Sequence, residues 1–206
     1  MSVSLDSLST FVDHLRAMFP NLGALKILFA QTDGEFDEAL ELLLEHAADH
    51  LERNANLLGN LGEDGLTAVL IPCLNKPGVR VSQQAYTKGH VDITVEAEFG
   101  LRRRLGEAKI YDGPEYHVEG LEQLINRYST GREGSGFVVE YVKKAKIDEL
   151  VTKIRSHMDT AKPCSQKGAT QAHRHINWTF ISFHNHSSGE VLRVLHLSCN
   201  LYRVKE

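Results

Sequence analysis

Three things are scarce in this 206-residue chain, and each removes a class of protein. Cysteine occurs at Cys73, Cys164 and Cys199 only, an odd, widely spaced set with no Cys-x-x-Cys pair. That argues against a disulfide scaffold or a zinc ribbon and predicts reduced thiols in a cytoplasm. Long apolar runs are missing: none approaches the ~20 residues that cross a bilayer, so no membrane partner is expected. The opening MSVSLDSLST has no basic region followed by an apolar core and a small-residue cleavage site, and export is not expected. Basic side chains are scarce in the first third. Residues 1–75 hold three (Arg16, Lys26, Arg53) against twelve acidic ones, a net of −9, whereas residues 76–206 hold twenty against fifteen, a net of +5. A polyanion would approach the second part and avoid the first, although asymmetry of this size is also common in proteins without such a partner.

What is present is periodicity. Leu8, Phe11, Val12, Leu15, Met18 and Phe19 fall at helical spacing until Pro20 stops them. An apolar turn follows through Leu25, Ile27, Leu28 and Phe29. Thr32-Asp33-Gly34-Glu35 reads as a capping box ahead of a helix whose stripe is Phe36, Leu40, Leu43, Leu44, Ala47 and Leu51. Its polar face is almost all Asp and Glu. Residues 1–60 are therefore expected to be a helical appendage for packing, dimerisation or docking a regulatory partner. The Gly- and Asn-rich stretch 59–65 marks the boundary to a second unit, residues 61–206.

In that unit a helix over EDGLTAVLIPCLN carries Pro72 as a kink or early stop. Lys76-Pro77-Gly78 is a turn, and a strand runs from Val79 to Tyr86. The stretch Gly89–Tyr111, GHVDITVEAEFGLRRRLGEAKIY, reads as two alternating strands joined by a charged turn. Period-two spacing puts Glu107 and Lys109 on one face, and Asp92 on the partner strand meets them from across the pair. Two carboxylates and an ammonium converging on a sheet are costly unless something binds there. A hard divalent cation such as Mg2+, with Mn2+ as the alternative, suits carboxylate oxygens. At the turn, Arg102, Arg103 and Arg104 are adjacent, at least two are expected to reach solvent, and they are candidates for phosphate contact. A solvated turn is the competing reading. His90 lies two residues before Asp92, on its face, and is a candidate to tune the site or touch the scissile phosphate, with a satisfied strand histidine as the preferred reading.

These residues carry a resemblance. Asp92 followed by Glu107-Ala108-Lys109 is similar to the PD-(D/E)XK superfamily of nucleases. The expected order of helix, strand, strand, helix, strand and helix is also present: EYHVEGLEQLINRYSTG supplies the helix after the Glu-x-Lys strand, Phe137–Val142 a buried strand, and Ile147–Met158 a further helix. The resemblance implies an α/β (α+β) fold, with a restriction-endonuclease-like core of a mixed central sheet flanked by helices. It implies metal-dependent hydrolysis of phosphodiester bonds in DNA, with RNA as the alternative substrate, by a homodimer or higher homo-oligomer. Asp92, Glu107 and the Ala108 carbonyl would hold the metal, with Lys109 as the catalytic cation. Glu63 holds the place of a further acidic ligand and equally that of a charge favoured by a helix N-terminus. Gln123 and Tyr128 resemble the Gln-x-x-x-Tyr helix of RecB-like members, but four residues rather than three separate them here, and only Gln123 is carried over.

Residues 161–172 read as a loop, and HINWTFISFHNHSSGEVLRVLHLSCNLY as a β-hairpin turning at Ser187-Ser188-Gly189, which extends the sheet or forms a dimer surface. His173, His175, His184, His186 and His196 cluster in the last thirty-four residues. Alternating His-x-His on a strand can aim two imidazoles at one metal, but hairpin-surface histidines are the expectation. The competing functional reading is a non-catalytic nucleic-acid-binding or scaffold protein with a nuclease-like fold. A third is a structural domain in which Asp92, Glu107 and Lys109 form a metal-free ion network.

Overall fold

The computed structural model describes residues 9–11, 13–14, 23–76, 78–86, 90–97 and 102–204. Of the N-terminal apolar stripe, Leu8, Val12, Leu15, Met18, Phe19 and Pro20 lie outside the described residues, as do Gly89 and the 98–101 segment between the motif strands. The elements in chain order are α1 (Gly23–Leu28), α2 (Asp33–Arg53), α3 (Ala55–Leu58), α4 (Glu63–Leu74), β1 (Val79–Tyr86), β2 (His90–Ala97), β3 (Arg102–Ile110) and α5 (Pro114–Glu122). A π-helical turn (Gln123–Tyr128) continues α5. Then come β4 (Ser135–Val142), α6 (Ile147–Ala161), β5 (Gln171–Ala172), β6 (Thr179–Asn185) and β7 (Val191–Asn200).

One seven-stranded mixed sheet runs β1-β2-β3-β4-β7-β6-β5. Its centre, β3-β4-β7, is parallel; the β1-β2-β3 side and the β7-β6-β5 side are antiparallel. Strand β4 lies in the middle and every residue of it is buried, which is why it reads as the near-continuous apolar run FVVEYV. Glu140 is the one charged residue in that run. Gly106 on β3 is there because Phe137 of β4 packs across it: a Cβ at 106 would lie 2.2 Å from the Phe137 ring.

Helices cover both faces. On one, α2 and α4 bring Phe36, Leu40, Leu44, Leu51, Leu66, Leu70 and Leu74 against Val81, Ile93, Val95, Ala108, Val139, Tyr141 and Leu197. On the other, α5, the π-turn and α6 bring Leu121, Leu124, Ile125, Val151, Ile154 and Met158 against Leu105, Val138, Val142, Phe180 and Val194. Helix α2 is not an appendage: its apolar stripe belongs to the same core as the strands of residues 61–206. Its start is capped as the sequence indicates. Thr32 Oγ1 accepts the Glu35 N–H at 3.2 Å, and the Glu35 carboxylate accepts the Gln31 N–H at 2.7 Å. Pro72 does not stop α4, which runs on to Leu74.

The C-terminal hairpin extends the sheet through β7, with Gly189 at positive φ in its turn. The 162–170 loop is tied down by Asp159, which accepts from the Thr170 N–H and hydroxyl at 2.7 and 3.0 Å and from the Gln166 amide at 3.1 Å. Among the described residues no helix is long and apolar enough to cross a membrane.

Candidate functional site

The two motif strands fork. Their ladder runs from Ala97↔Arg102 to Ile93↔Gly106, while β2 stays paired with β1 as far as His90↔Tyr86. Beyond Gly106 the β3 edge has lost its neighbour, and backbone amides there need other acceptors. Two carboxylates supply them. Asp92 Oδ2 accepts the Ala108 N–H at 3.0 Å, and Glu63 Oε2, from the first residue of α4, accepts the Ile110 N–H at 3.0 Å. Because N–H and C=O of one strand residue point to the same edge, the Ala108 carbonyl also faces the fork.

Glu107 and Lys109 stand on the α5 face of β3, as period-two spacing predicts. Lys109 Nζ lies 2.6 Å from Glu107 Oε1 and 3.7 Å from Glu63 Oε1. Glu107 is 1% exposed, and its Oε2 has no hydrogen-bond partner among the described residues. Burial above all, and Asp92 beside it, push the Glu107 carboxyl up to about 8, against the pull of Lys109. The Lys109 ammonium is desolvated, which works against its charge, yet Glu107, Glu63 and Asp92 hold it above the usual lysine range. The upward shift of Lys109, set by Glu107, Glu63 and Asp92, marks a site with surplus negative charge. Three carboxylates share one ammonium.

Gly120 of α5 lets the helix rest on this pair: a Cβ there would lie 3.0 Å from Lys109 Cγ and 3.5 Å from Glu107 Cγ. Half-buried Gln123 opens the π-turn. In that turn hydrogen bonds span five residues, as in Ser129 N–H to Leu124 C=O at 3.0 Å. Gln123 and Tyr128, five apart, therefore bear the backbone relation that residues four apart bear in an α-helix. His90 begins β2 at the mouth of the fork.

The donor set fits a hard cation: carboxylates on three elements, a strand carbonyl, and a buried carboxylate oxygen left unpartnered. Among the described residues no group of three or more His, Cys, Asp or Glu side chains is arranged to hold a metal. Lys109 stands between two of the carboxylates.

The arginines are placed differently from the expectation. Arg102, Arg103 and Arg104 belong to β3 rather than to a turn, so they alternate between faces, and each meets carboxylates. Arg102 Nε lies 3.3 Å from Asp33, with its Nη atoms donating to the Ala30 and Gln31 carbonyls at 2.6 Å each. Arg103 Nε donates to Glu133 at 3.1 Å. Arg104, with its side chain 3% exposed, pairs with Asp37 at 2.7 Å. Only partial surfaces of Arg102 and Arg103 remain open to solvent, because Asp33 of α2 meets the first and Glu133, just ahead of β4, meets the second.

Two of the C-terminal histidines, His184 and His196, depart from a surface role, whereas His175 is exposed as expected. His184 and His196 are buried in a hydrogen-bonded chain with His117 and Glu140, and His173 bonds Glu41 at 3.1 Å. His186 is at the hairpin turn, bonded to Ser188 at 2.9 Å. The sequence signal for this chain was Glu140, an isolated charge inside a fully apolar strand. Comparison with protein-family models, with curated proteins and with solved structures found no match.

Proposed function

We propose that this protein is a metal-dependent nuclease that hydrolyses phosphodiester bonds in DNA, as a restriction, repair or defence effector. One observation carries the reading. Where β2 leaves β3, Asp92 and Glu63 cap the exposed strand edge beside a buried Glu107 and Lys109, concentrating three carboxylates on one ammonium. Such a cluster is a poor stabiliser on its own and a good receptor for a divalent cation.

Asp92, Glu107 and the Ala108 carbonyl would hold Mg2+ or Mn2+, with Glu63 as a further oxygen donor. When bound, the cation supplies polarisation of a phosphoryl oxygen and a lowered pKa for a coordinated water. The chain's own groups do the rest. Lys109, kept cationic by its neighbours, offers an ammonium to the charge that builds on the phosphorane and orients the attacking water. Gly120 keeps α5 close over the pair, which excludes bulk water from that side. Gln123, at the start of the π-turn, stands over the same face as a polar contact for the scissile group. Cutting both strands calls for two such sites, so the active species is taken to be a homodimer.

The test is incubation of purified protein with plasmid and linear duplex DNA, and with RNA, in Mg2+ and in Mn2+. Asp92→Ala and Lys109→Ala serve as paired controls. Cleavage abolished by both substitutions is expected. An intact protein that cuts none of these substrates and binds no divalent cation by calorimetry would leave the metal-free ion network as the better account.

A further inference from the structure

Five side chains on the α5 face form a continuous hydrogen-bonded chain that the proposed chemistry does not use. Glu140 Oε2 lies 3.1 Å from His117 Nδ1, and His117 Nε2 lies 2.8 Å from His196 Nδ1. His196 Nε2 and His184 Nε2 each lie 2.7 Å from Ser182 Oγ. His184 Nδ1 ends the chain, 3.2 Å from the Cys164 carbonyl oxygen. None of the five is more than 1% exposed, so bulk water does not reach the chain.

Both ends of this chain are acceptors, a carboxylate at one and a carbonyl at the other. A neutral imidazole donates one proton and accepts one, and a hydroxyl donates one. The five links therefore need five protons, while three neutral histidines and one serine bring four. Following the donors from the Cys164 end fixes the arrangement. His184 carries its proton on Nδ1, Ser182 donates to His184 Nε2, His196 donates from Nε2 to Ser182, and His117 donates from Nε2 to His196. His117 Nδ1 then faces an ionised Glu140 acceptor to acceptor.

We infer that the folded protein holds one further proton, shared between Glu140 and His117, and that it fixes α5 over Lys109 and Glu107. Burial, with His117 and His184 beside it, drives His196 far below the ordinary histidine range. Burial also lowers His184, against the pull of the Cys164 and Pro163 carbonyls. The link that the donor count leaves without a proton is the one at the Glu140 end. That end is next to the candidate site: Glu140 is the register neighbour of Lys109. His117 lies one helical turn from Gly120, where an added Cβ would come within 3.0 Å of the Lys109 stem. The charged and titratable groups around the chain are Lys109, Glu107 and Tyr111 at β3, Cys164 in the loop after α6, and Arg155 of α6. The Arg155 guanidinium lies 6.0 Å from the Phe180 ring that stacks on His196 at 4.3 Å. The catalytic meaning of fixing α5 rests on the nuclease reading; the proton count does not.

The consequence is a linkage with a definite sign. Above about pH 6.5 an unfolded chain has neutral histidines and an ionised glutamate, so closing the structure takes up one proton and weakens as pH rises. Glu140→Gln removes the need, because a carboxamide N–H can donate to neutral His117 and complete every link.

Amide hydrogen exchange of α5 in wild type and Glu140→Gln, compared at matched pH between about 6.5 and 9, cancels the intrinsic rate. The expected result is that wild-type protection falls up to about tenfold per pH unit relative to the variant. Parallel protection in the two proteins overturns the proposal. Nitrogen-15 spectra of histidine-labelled wild type at about pH 8 provide a second arm that needs no variant. They should show His184 protonated on Nδ1, His196 on Nε2, and His117 on Nε2 with a further proton shared with Glu140. A proton on His196 Nδ1 instead would reverse the chain and overturn the proposal, whether or not Glu140→Gln folds. Neither arm depends on cleavage, so failure of the nuclease reading is recorded separately by the DNA assay.

Discussion

Arg104 and Asp37 meet at 2.7 Å between β3 and α2, on the face of the sheet opposite Lys109. The arginine lies over the Phe36 ring, 5.4 Å from its centroid, and Ser135 Oγ donates to the same Asp37 oxygen at 2.7 Å. This pair is the middle of a stripe. Asp33, Asp37 and Glu41 recur every four residues on α2, one face of the helix. They meet Arg102 and Arg104 of β3, Arg193 of β7 and His173. Three of the twelve acidic side chains of residues 1–75 are thus neutralised internally. This pairing holds the helix to the sheet and leaves fewer free cations for a polyanion.

Arg104→Ala should therefore destabilise strongly, because it leaves Asp37 beside an apolar core without its cation. Breaking a buried pair from one side costs about 3–5 kcal/mol, and the partial exposure of Asp37 with its retained Ser135 hydrogen bond sets the expected loss at or below the lower end of that range. Arg53→Ala, which removes an exposed i,i+4 pair with Asp49, should leave stability unchanged. Denaturant titration of both variants checks the contrast, and equal midpoints would mean that the stripe does not anchor α2.

Much of this architecture was legible in the sequence, and the reasons for the remainder are physical. Strand β1, buried β4 and the Thr32 cap follow from local rules of alternation and capping, and the Glu107–Lys109 contact follows from period-two spacing. The arginines misled because a run of three cations looks like a turn, and nothing local reveals that α2 supplies carboxylates some seventy residues away. Helix α2 looked like an appendage because its polar face is acidic, yet that face is partnered. The π-turn over Gln123–Tyr128 has no local signature, because its five-residue hydrogen bonds depend on the backbone path. The buried histidines are long-range by nature: His117 and His196 are 79 residues apart.

Glu133 should give an acid limb to stability. Burial alone would raise its carboxyl, but Arg103 and the Thr130 N–H and hydroxyl hold it down at about 2. A depressed carboxylate contributes stability that is complete above its unfolded value near 4.5 and is lost as pH falls toward 2. The contribution is at most about 3 kcal/mol. Arg103→Ala should flatten that limb, as measured by denaturant titration between about pH 5 and 2. An unchanged limb would assign acid sensitivity to other carboxylates.

Gly120→Ala separates stability from chemistry. Alanine in a helix interior gains up to about 1 kcal/mol over glycine, and its Cβ would meet only the flexible Lys109 and Glu107 stems at 3.0 to 3.5 Å. The fold should hold to within about 1 kcal/mol. The Lys109 ammonium should shift, lowering the turnover of a cleaved DNA substrate with little change in its KM. A matched fall in melting temperature and turnover would instead make Gly120 a packing residue alone.

Divalent-ion binding can be read without any substrate. A ligand that binds only the folded protein stabilises it by RT ln(1 + [L]/Kd), about 2.7 kcal/mol at a hundredfold excess over Kd. Mg2+ or Mn2+ should therefore raise the melting temperature of the wild type, because the cation relieves the surplus negative charge on Asp92, Glu107 and Glu63. Asp92→Asn should lose most of that rise while melting close to the wild type in chelator, since the amide oxygen can still accept the Ala108 N–H. Lys109→Met removes the competing ammonium and leaves the carboxylates uncompensated, so it should melt lower in chelator and recover more with the cation. A Lys109→Met protein that gains no more than the wild type would argue that the carboxylates serve the strand edge and not a metal.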